Sequence, residues 1–309
     1  MSRPFLHIAG ARYRRGAQKV LLAICWLLPW VLCARLAGSQ ESPYFVTYDH
    51  YLEEPGNLEV EYFSTFGTQG TGNDFHAYWI EFEYGVKAWY TTELYLDGQT
   101  TFGDSTIFTG FRWESRIRPL QREHFLNPVL YFEYEQISEA DKILKEVEGH
   151  DVAQDHAAPN ALTRQTVNHE LEFKLILSKT FNGWNIAINP LATKSLLPGV
   201  PWEFGYATGV SRPLALKAST QSCNLCRENF IAGLEMYGGL GDTQNPGLHD
   251  TSHYLAPVVA WNVPSGWTLR LSPGFGLNDS SHRLLLRWGV SREFAGFGDA
   301  VGRLFGRRP

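Results

Sequence analysis

The chain has 309 residues, 44% hydrophobic, 14% aromatic and 19% charged, with a formal net charge of −5 at pH 7, which suits one large domain or two ordinary ones. An acidic chain lacks the basic surface that contact with nucleic acid rewards, so nucleic acid is excluded as a partner. Beyond residue 39 no apolar run reaches the ~20 residues that a spanning helix needs, which excludes a helical membrane protein.

Arg3, Arg12, Arg14, Arg15 and Lys19 precede an apolar run from Val20 to Cys33, and Ala37-Gly38-Ser39 follow. Basic, then apolar, then small is the order of a secretory signal peptide, expected over residues 1–39 with a cut after Ser39 or Ala34. Pro29 interrupts the run, and its length argues against an uncleaved anchor. Loss of residues 1–39 removes six basic and no acidic residues and takes the net charge to −11. Cys25 and Cys33 leave with it, so Cys223 and Cys226 remain for an oxidising compartment. Residues 40–57 are expected to be an N-terminal periplasmic segment.

From residue 58 the chain alternates with period two. Leu58, Val60 and Tyr62 oppose Glu59 and Glu61; Tyr78, Ile80, Phe82 and Tyr84 oppose Trp79, Glu81 and Glu83. Val86, Ala88, Tyr90, Thr92, Leu94 and Leu96 oppose Lys87, Trp89, Thr91, Glu93, Tyr95 and Asp97. Phe111, Trp113 and Ile117 then oppose Arg112, Glu114 and Arg116, and Leu130, Phe132 and Tyr134 oppose Tyr131, Glu133 and Glu135.

A long connection follows, about residues 136–167. Ser138-Glu-Ala-Asp141 resembles a capping box with Asp in place of Glu, and Ile143, Leu144 and Val147 before Gly149 predict a short helix. His150-Asp151, Asp155-His156 and His169-Glu170 are ligand types for a divalent metal. Their spacing is irregular, so the reading is a solvated loop and no metal site.

In the sixth segment Glu170, Glu172 and Lys174 alternate with Leu171, Phe173, Leu175 and Leu177. Trp184, Ile186 and Ile188 then oppose Asn185, Ala187 and Asn189, and Trp202, Phe204, Tyr206 and Val210 oppose Glu203, Gly205, Ala207 and Gly209. Cys223-Asn-Leu-Cys226 reads as a local disulfide tightening a turn: no His follows for haem attachment, and no second CxxC exists for zinc. No cofactor motif is present. Phe230, Ala232, Leu234 and Met236 oppose Gly233 and Glu235, and His253–Trp261 is apolar on both parities. Trp267, Leu269, Leu271 and Phe275 oppose Arg270, and Leu284, Leu286, Trp288 and Val290 oppose Arg283 and Arg287. Ser280, Ser281 and His282 are the nearest approach to a nucleophile and base, and adjacency alone makes no dyad.

Twelve such segments predict an all-β fold, an antiparallel transmembrane up-and-down β-barrel over residues 58–294. Gly85, Asn182-Gly183 and Pro264-Ser265-Gly266 fall where short turns are required, and Trp89, Trp184, Trp261 and Trp267 lie beside them like an aromatic girdle. Lipid would meet the apolar parity. The lumen would receive fourteen acids, the named glutamates with Asp97 and Glu293, against seven bases, Lys87, Arg112, Arg116, Lys174, Arg270, Arg283 and Arg287.

Arg287-Trp-Gly-Val-Ser-Arg-Glu-Phe294 resembles the last-strand signal of bacterial outer-membrane β-barrel proteins, with Gly289 before a terminal aromatic, Phe294. Arg292 stands where an apolar residue is usual. The resemblance implies the bacterial outer membrane as location, outer-membrane lipid as surroundings and the barrel-assembly machinery as partner during insertion. The tail, residues 295–309, spaces Phe297, Val301, Leu304 and Phe305 as an amphipathic helix would, although Gly298, Gly302 and Gly306 weaken it. The functional expectation is a narrow passive pore for small solutes, with an acidic lumen that favours cations. A plugged structural or anchoring barrel is the alternative, and an outer-membrane lipid-modifying enzyme the less supported one.

Overall fold

A sheet with one apolar and one charged wall hides its charges only by closing on itself and turning the apolar wall to lipid. The computed structural model, described over residues 42–69, 72–143, 158–219 and 223–304, is such a closure: twelve antiparallel strands in chain order, the last paired with the first. They are β1 (Leu58–Thr68), β2 (Phe75–Lys87), β3 (Tyr90–Thr101), β4 (Thr106–Ile117), β5 (Asn127–Ser138), β6 (Val167–Phe181), β7 (Trp184–Ser195), β8 (Trp202–Pro213), β9 (Phe230–Asp242), β10 (His253–Val263), β11 (Trp267–Gly276) and β12 (Leu284–Phe294). The seam sets Leu58 opposite Phe294 and Thr68 opposite Leu284.

Strands of 10 to 15 residues exceed the ~9–11 that a tilted strand needs to cross hydrocarbon. Leu130 (51% exposed), Ile186 (54%) and Leu271 (52%) stand outward, whereas Glu114 and Glu235 (both 0%) are turned in. A soluble sandwich would show the reverse, so this is an outer-membrane-type barrel. Among the described residues no helix is long and apolar enough to cross a membrane.

One end carries tight turns. At Asn182 (φ 51°) and Gly183 (φ 79°) both central residues are left-handed, the I′ geometry that suits strand twist. Trp184 and Trp267 ring this turn end, and Trp261 stacks on Phe230 with centroids 5.8 Å apart. Arg292 also stands there, its guanidinium 5.0 Å from the Trp267 ring and 5.6 Å from Phe294. An arginine is tolerated at that outward position because it lies on aromatic faces within snorkelling reach of the interface. Cys223 and Cys226 form a disulfide, with Cα atoms 5.3 Å apart. The indole N–H of Trp261 donates to Asn224 O (2.8 Å) and fastens that turn to the wall.

Three local expectations need correction. Gly85 is not the β2–β3 turn: the chain reverses at Ala88-Trp89, and Gly85 sits at a register shift. Its role is close approach, since a Cβ there would lie 2.1 Å from Glu54 O. Trp89 and Lys87 are consequently exposed at the turn and do not face the lumen. Arg283 is likewise exposed, in the loop before β12. Residues 139–143 are turn and bend, not the start of a helix, and the rest of that expected helix, with His150-Asp151 and Asp155-His156, lies outside the described residues. So does the expected signal peptide. The described α-helices are α1 (Asn160–Thr163) and, in the tail, α2 (Phe297–Leu304), and a 3-10 turn covers Arg227–Asn229.

Candidate functional site

The interior is built from two unlike walls. On β1–β6 the inward parity carries eleven acids, Glu59, Glu61, Glu81, Glu83, Glu93, Asp97, Glu114, Glu133, Glu135, Glu170 and Glu172, with three bases, Arg112, Arg116 and Lys174. On β7–β12 the same parity is dominated by small or apolar residues such as Ala187, Ala207, Gly209, Ala256 and Ala260, with Glu203, Glu235 and Glu293 against Arg270 and Arg287. Most of these charged groups are buried; Glu83, Glu170, Glu203 and Arg270 are half-buried. With Lys87 and Arg283 outside, the inward surplus is fourteen acids over five bases, larger than expected.

Small residues leave room, and the chain itself fills it. The segment before β1, expected to be periplasmic, enters the barrel at the turn end, rises to Val46 and returns to Leu58. Its apex is gripped by one side chain: the carboxylate of Glu235 accepts the backbone N–H groups of Phe45 (3.0 Å), Val46 (3.0 Å) and Thr47 (2.8 Å). Asn189 clamps the next residue from both sides, accepting from Tyr48 N (2.6 Å) and donating to Tyr48 O (3.0 Å). Its amide thus imitates a strand neighbour for a segment that belongs to no strand. The Tyr44 hydroxyl donates to Asn185 Oδ1 (3.1 Å), and the His50 N–H donates to Ser178 Oγ (2.8 Å). The His50 ring bridges on to Glu123 in the β4–β5 turn (2.9 Å). Asp49 accepts from its own neighbour, Tyr51 N (2.9 Å).

Tyr48 is the point of contact with the charged wall. Its hydroxyl donates to Glu114 (3.1 Å), beside Tyr95, whose hydroxyl lies 2.5 Å from Glu93 and 2.8 Å from Glu114. Arg116 pairs with Glu83 (2.6 Å), Glu93 and Glu114 (3.1 Å). Arg112 pairs with Asp97 (3.0 Å) and reaches Glu133 (3.6 Å); Lys174 pairs with Glu172 (3.0 Å); Arg270 pairs with Glu61 (2.9 Å). Lys174 Nζ also stands 4.6 Å from the Tyr48 ring and 4.2 Å from that of Tyr131. Between the inserted segment and the acids lies a cavity of ≈ 550 Å³, lined by Glu59, Glu61, Glu81, Glu83, Arg116 and Arg270 and reaching the turn end at Gly183 and Leu216.

Toward the other end the lumen is closed differently. Phe75, Leu191, Tyr237, Tyr254 and Leu285, all inward, form an apolar cluster with Ile143 from the long loop, and Val46 packs under it. The loop is held by Gln99, which accepts from Lys142 N (2.9 Å) and donates to Ala140 O (2.9 Å). His282 Nε2 meets Lys142 O (3.0 Å). Ser281 bonds His253 and Asn278, so Ser281 and His282 serve the loop contacts separately and form no dyad with each other. Sequence reasoning placed the acids on the inward parity but missed Asn189, Ser178 and Tyr48 as the grip on an inserted segment. The available signal was the row of small residues on β7–β10.

No family model matches the chain, and no curated protein matches it. Solved structures with a similar barrel include an outer membrane channel from Pseudomonas putida F1, 11% identical, with 81% of this chain and all of that one covered and a TM-score of 0.48. The KdgM porin is 7% identical, with 76% and 98% covered and a TM-score of 0.47. LpxR from Salmonella typhimurium is 10% identical, with 76% and 99% covered and a TM-score of 0.36. These likenesses concern the barrel alone; the description of the lumen rests on its own contacts.

Proposed function

We propose that the protein is a passive channel of the bacterial outer membrane for small solutes, held closed by its N-terminal segment at the turn end and by the long loop at the other. The observation that carries the reading is the character of the lumen. A barrel that never opens gains most from an apolar filling, because buried charge is costly unless fully paired. Here a surplus of acids lines one wall beside a cavity, and the inserted segment is held mainly through hydrogen bonds to Glu235, Asn189 and Ser178. An opened lumen of this charge favours cations. The apolar cluster around Ile143 supports a second reading, a sealed scaffold.

Planar-bilayer recording on three refolded proteins separates the two. The chain from Gln40 onward should be silent. Deleting residues 42–53 should give small, flickering steps, because the Ile143 closure remains. Deleting residues 42–53 and also replacing residues 140–143 by Gly and Ser should give stable, cation-selective steps. Silence of the doubly altered barrel, with insertion verified, establishes the sealed scaffold. Full conductance of the first protein removes the N-terminal segment from the mechanism.

A further inference from the structure

Glu81, Glu83 and Glu93 each place a carboxylate oxygen within 4.8 Å of the other two. The hairpin of β2 and β3 brings them together: Glu81 and Glu83 are consecutive inward residues, and Glu83 is directly opposite Glu93. A second observation concerns Glu81 alone. It is 6% exposed and lines the cavity, and among the described residues no hydrogen bond or ion pair holds its carboxylate. Every other nearby cation is committed elsewhere, Arg112 to Asp97, Lys174 to Glu172 and Arg270 to Glu61, while Arg116 is shared among Glu83, Glu93 and Glu114. Four carboxylates thus face one guanidinium. A buried carboxylate without a donor is costly unless a proton or a cation joins it.

We propose that Glu81, Glu83 and Glu93 bind a divalent cation of the calcium class inside the lumen. Carboxylate oxygens are hard donors, and ligands on opposite sides of Ca²⁺ stand about 4.6–5.2 Å apart, twice its usual bond length. The three oxygens lie within that span of one another, close enough to share one ion. Mg²⁺, which demands a strict octahedron and sheds its waters reluctantly, suits three protein carboxylates less well. The ion enters from the turn end through the cavity that Glu81 and Glu83 line. Arg116 turns toward Glu114 when the ion takes its share of Glu83 and Glu93. The site stands on the closed barrel and does not need the channel reading, so its test uses no conductance.

The refolded chain from Gln40 onward is melted in EDTA and in Ca²⁺, and separately titrated with Tb³⁺, a calcium substitute whose emission is sensitised by nearby tyrosine. Tyr95, 2.5 Å from Glu93, is the sensitiser. With Ca²⁺ about 100-fold above its Kd, the midpoint should rise by roughly 5–10 °C. Glu81→Gln should weaken Tb³⁺ binding at least about tenfold, one lost ligand of three, abolish the calcium-dependent shift and raise the midpoint in EDTA. Should that variant not fold, Glu83→Gln gives the same comparison. No calcium-dependent shift in the unaltered chain, or Tb³⁺ emission that persists undiminished in Glu81→Gln, overturns the site and leaves protons as the answer to the surplus.

Discussion

Glu235 shows what one residue does here. It is fully buried, an acid set among the small side chains Ala207, Gly209 and Ala256 of neighbouring strands. Three backbone N–H groups converge on it, and hydrogen bonds to an ionised acceptor contribute on the order of 1.5–3 kcal/mol each. Without the inserted segment this carboxylate would be stranded, so the acid and the segment require each other. His282 plays a comparable part at the other closure, where its ring meets Lys142 O. Burial pushes its imidazole down from 6.5 to about 4, opposed by that bond and aided by the positive Lys142 and Arg287. The unfolded chain therefore takes up a proton between about pH 6.5 and 4 that the native loop refuses, and native stability falls as pH drops through that window. By linkage the loss is about 3 kcal/mol once pH reaches 4. The protection factors of residues 138–143, corrected for the slower intrinsic exchange in acid, should fall on acidification from pH 7 to 4.5. In His282→Gln, which retains a donor for Lys142 O, that pH dependence should be markedly flatter. An identical pH profile in the variant would remove His282 from the closure.

At the scale of elements, the strands were legible and the insertion was not. Two-residue alternation fixes which wall faces lipid because a one-residue slip would expose every charge, so eleven strands are recognisable from pattern alone, and only β10, apolar on both parities, is not. The segment 42–57 has no such period, and its Tyr, Phe and Asp content describes a loop as well as a plug. What accommodates it is spread over other strands, as Ala187, Ala207, Gly209 and Ala256 on the inward parity, and small residues announce space without saying what fills it. The same limit explains Gly85, which reads as a turn and serves as a contact point for Glu54. Gly209 offers a direct test. A Cβ there would lie 2.6 Å from the Tyr44 ring, whereas valine otherwise suits a strand. Gly209→Val should expel residues 42–48 and leave the barrel assembled, with residues 42–54 becoming sensitive to limited proteolysis. Thr208→Val, on the lipid-facing parity, is the control and should leave the segment protected. Equal protection in both variants would show that Tyr44 does not depend on that space.

For the whole molecule the decisive property is that the charge is one-sided. Of the fourteen inward acids eleven stand on β1–β6, while the apex of the inserted segment and most of the apolar cluster lean on the opposite wall. An opened lumen would therefore carry solutes past one acidic face, not through a symmetrical ring, and selectivity should depend on where along that face a carboxylate stands. Glu81 and Glu83 line the cavity that reaches the turn end. Glu203 is near the opposite rim at the start of β8, where salt screens it more effectively. In the doubly opened barrel, Glu81→Gln with Glu83→Gln should reduce the cation-to-anion permeability ratio roughly twofold or more, and the effect should grow as ionic strength falls. Glu203→Gln should change it little. The quantity to measure is the reversal potential under a KCl gradient at two mean salt concentrations. Equal effects from the two positions would mean that the lumen acts through its net charge alone, and no effect from either would remove the acidic face from ion selection.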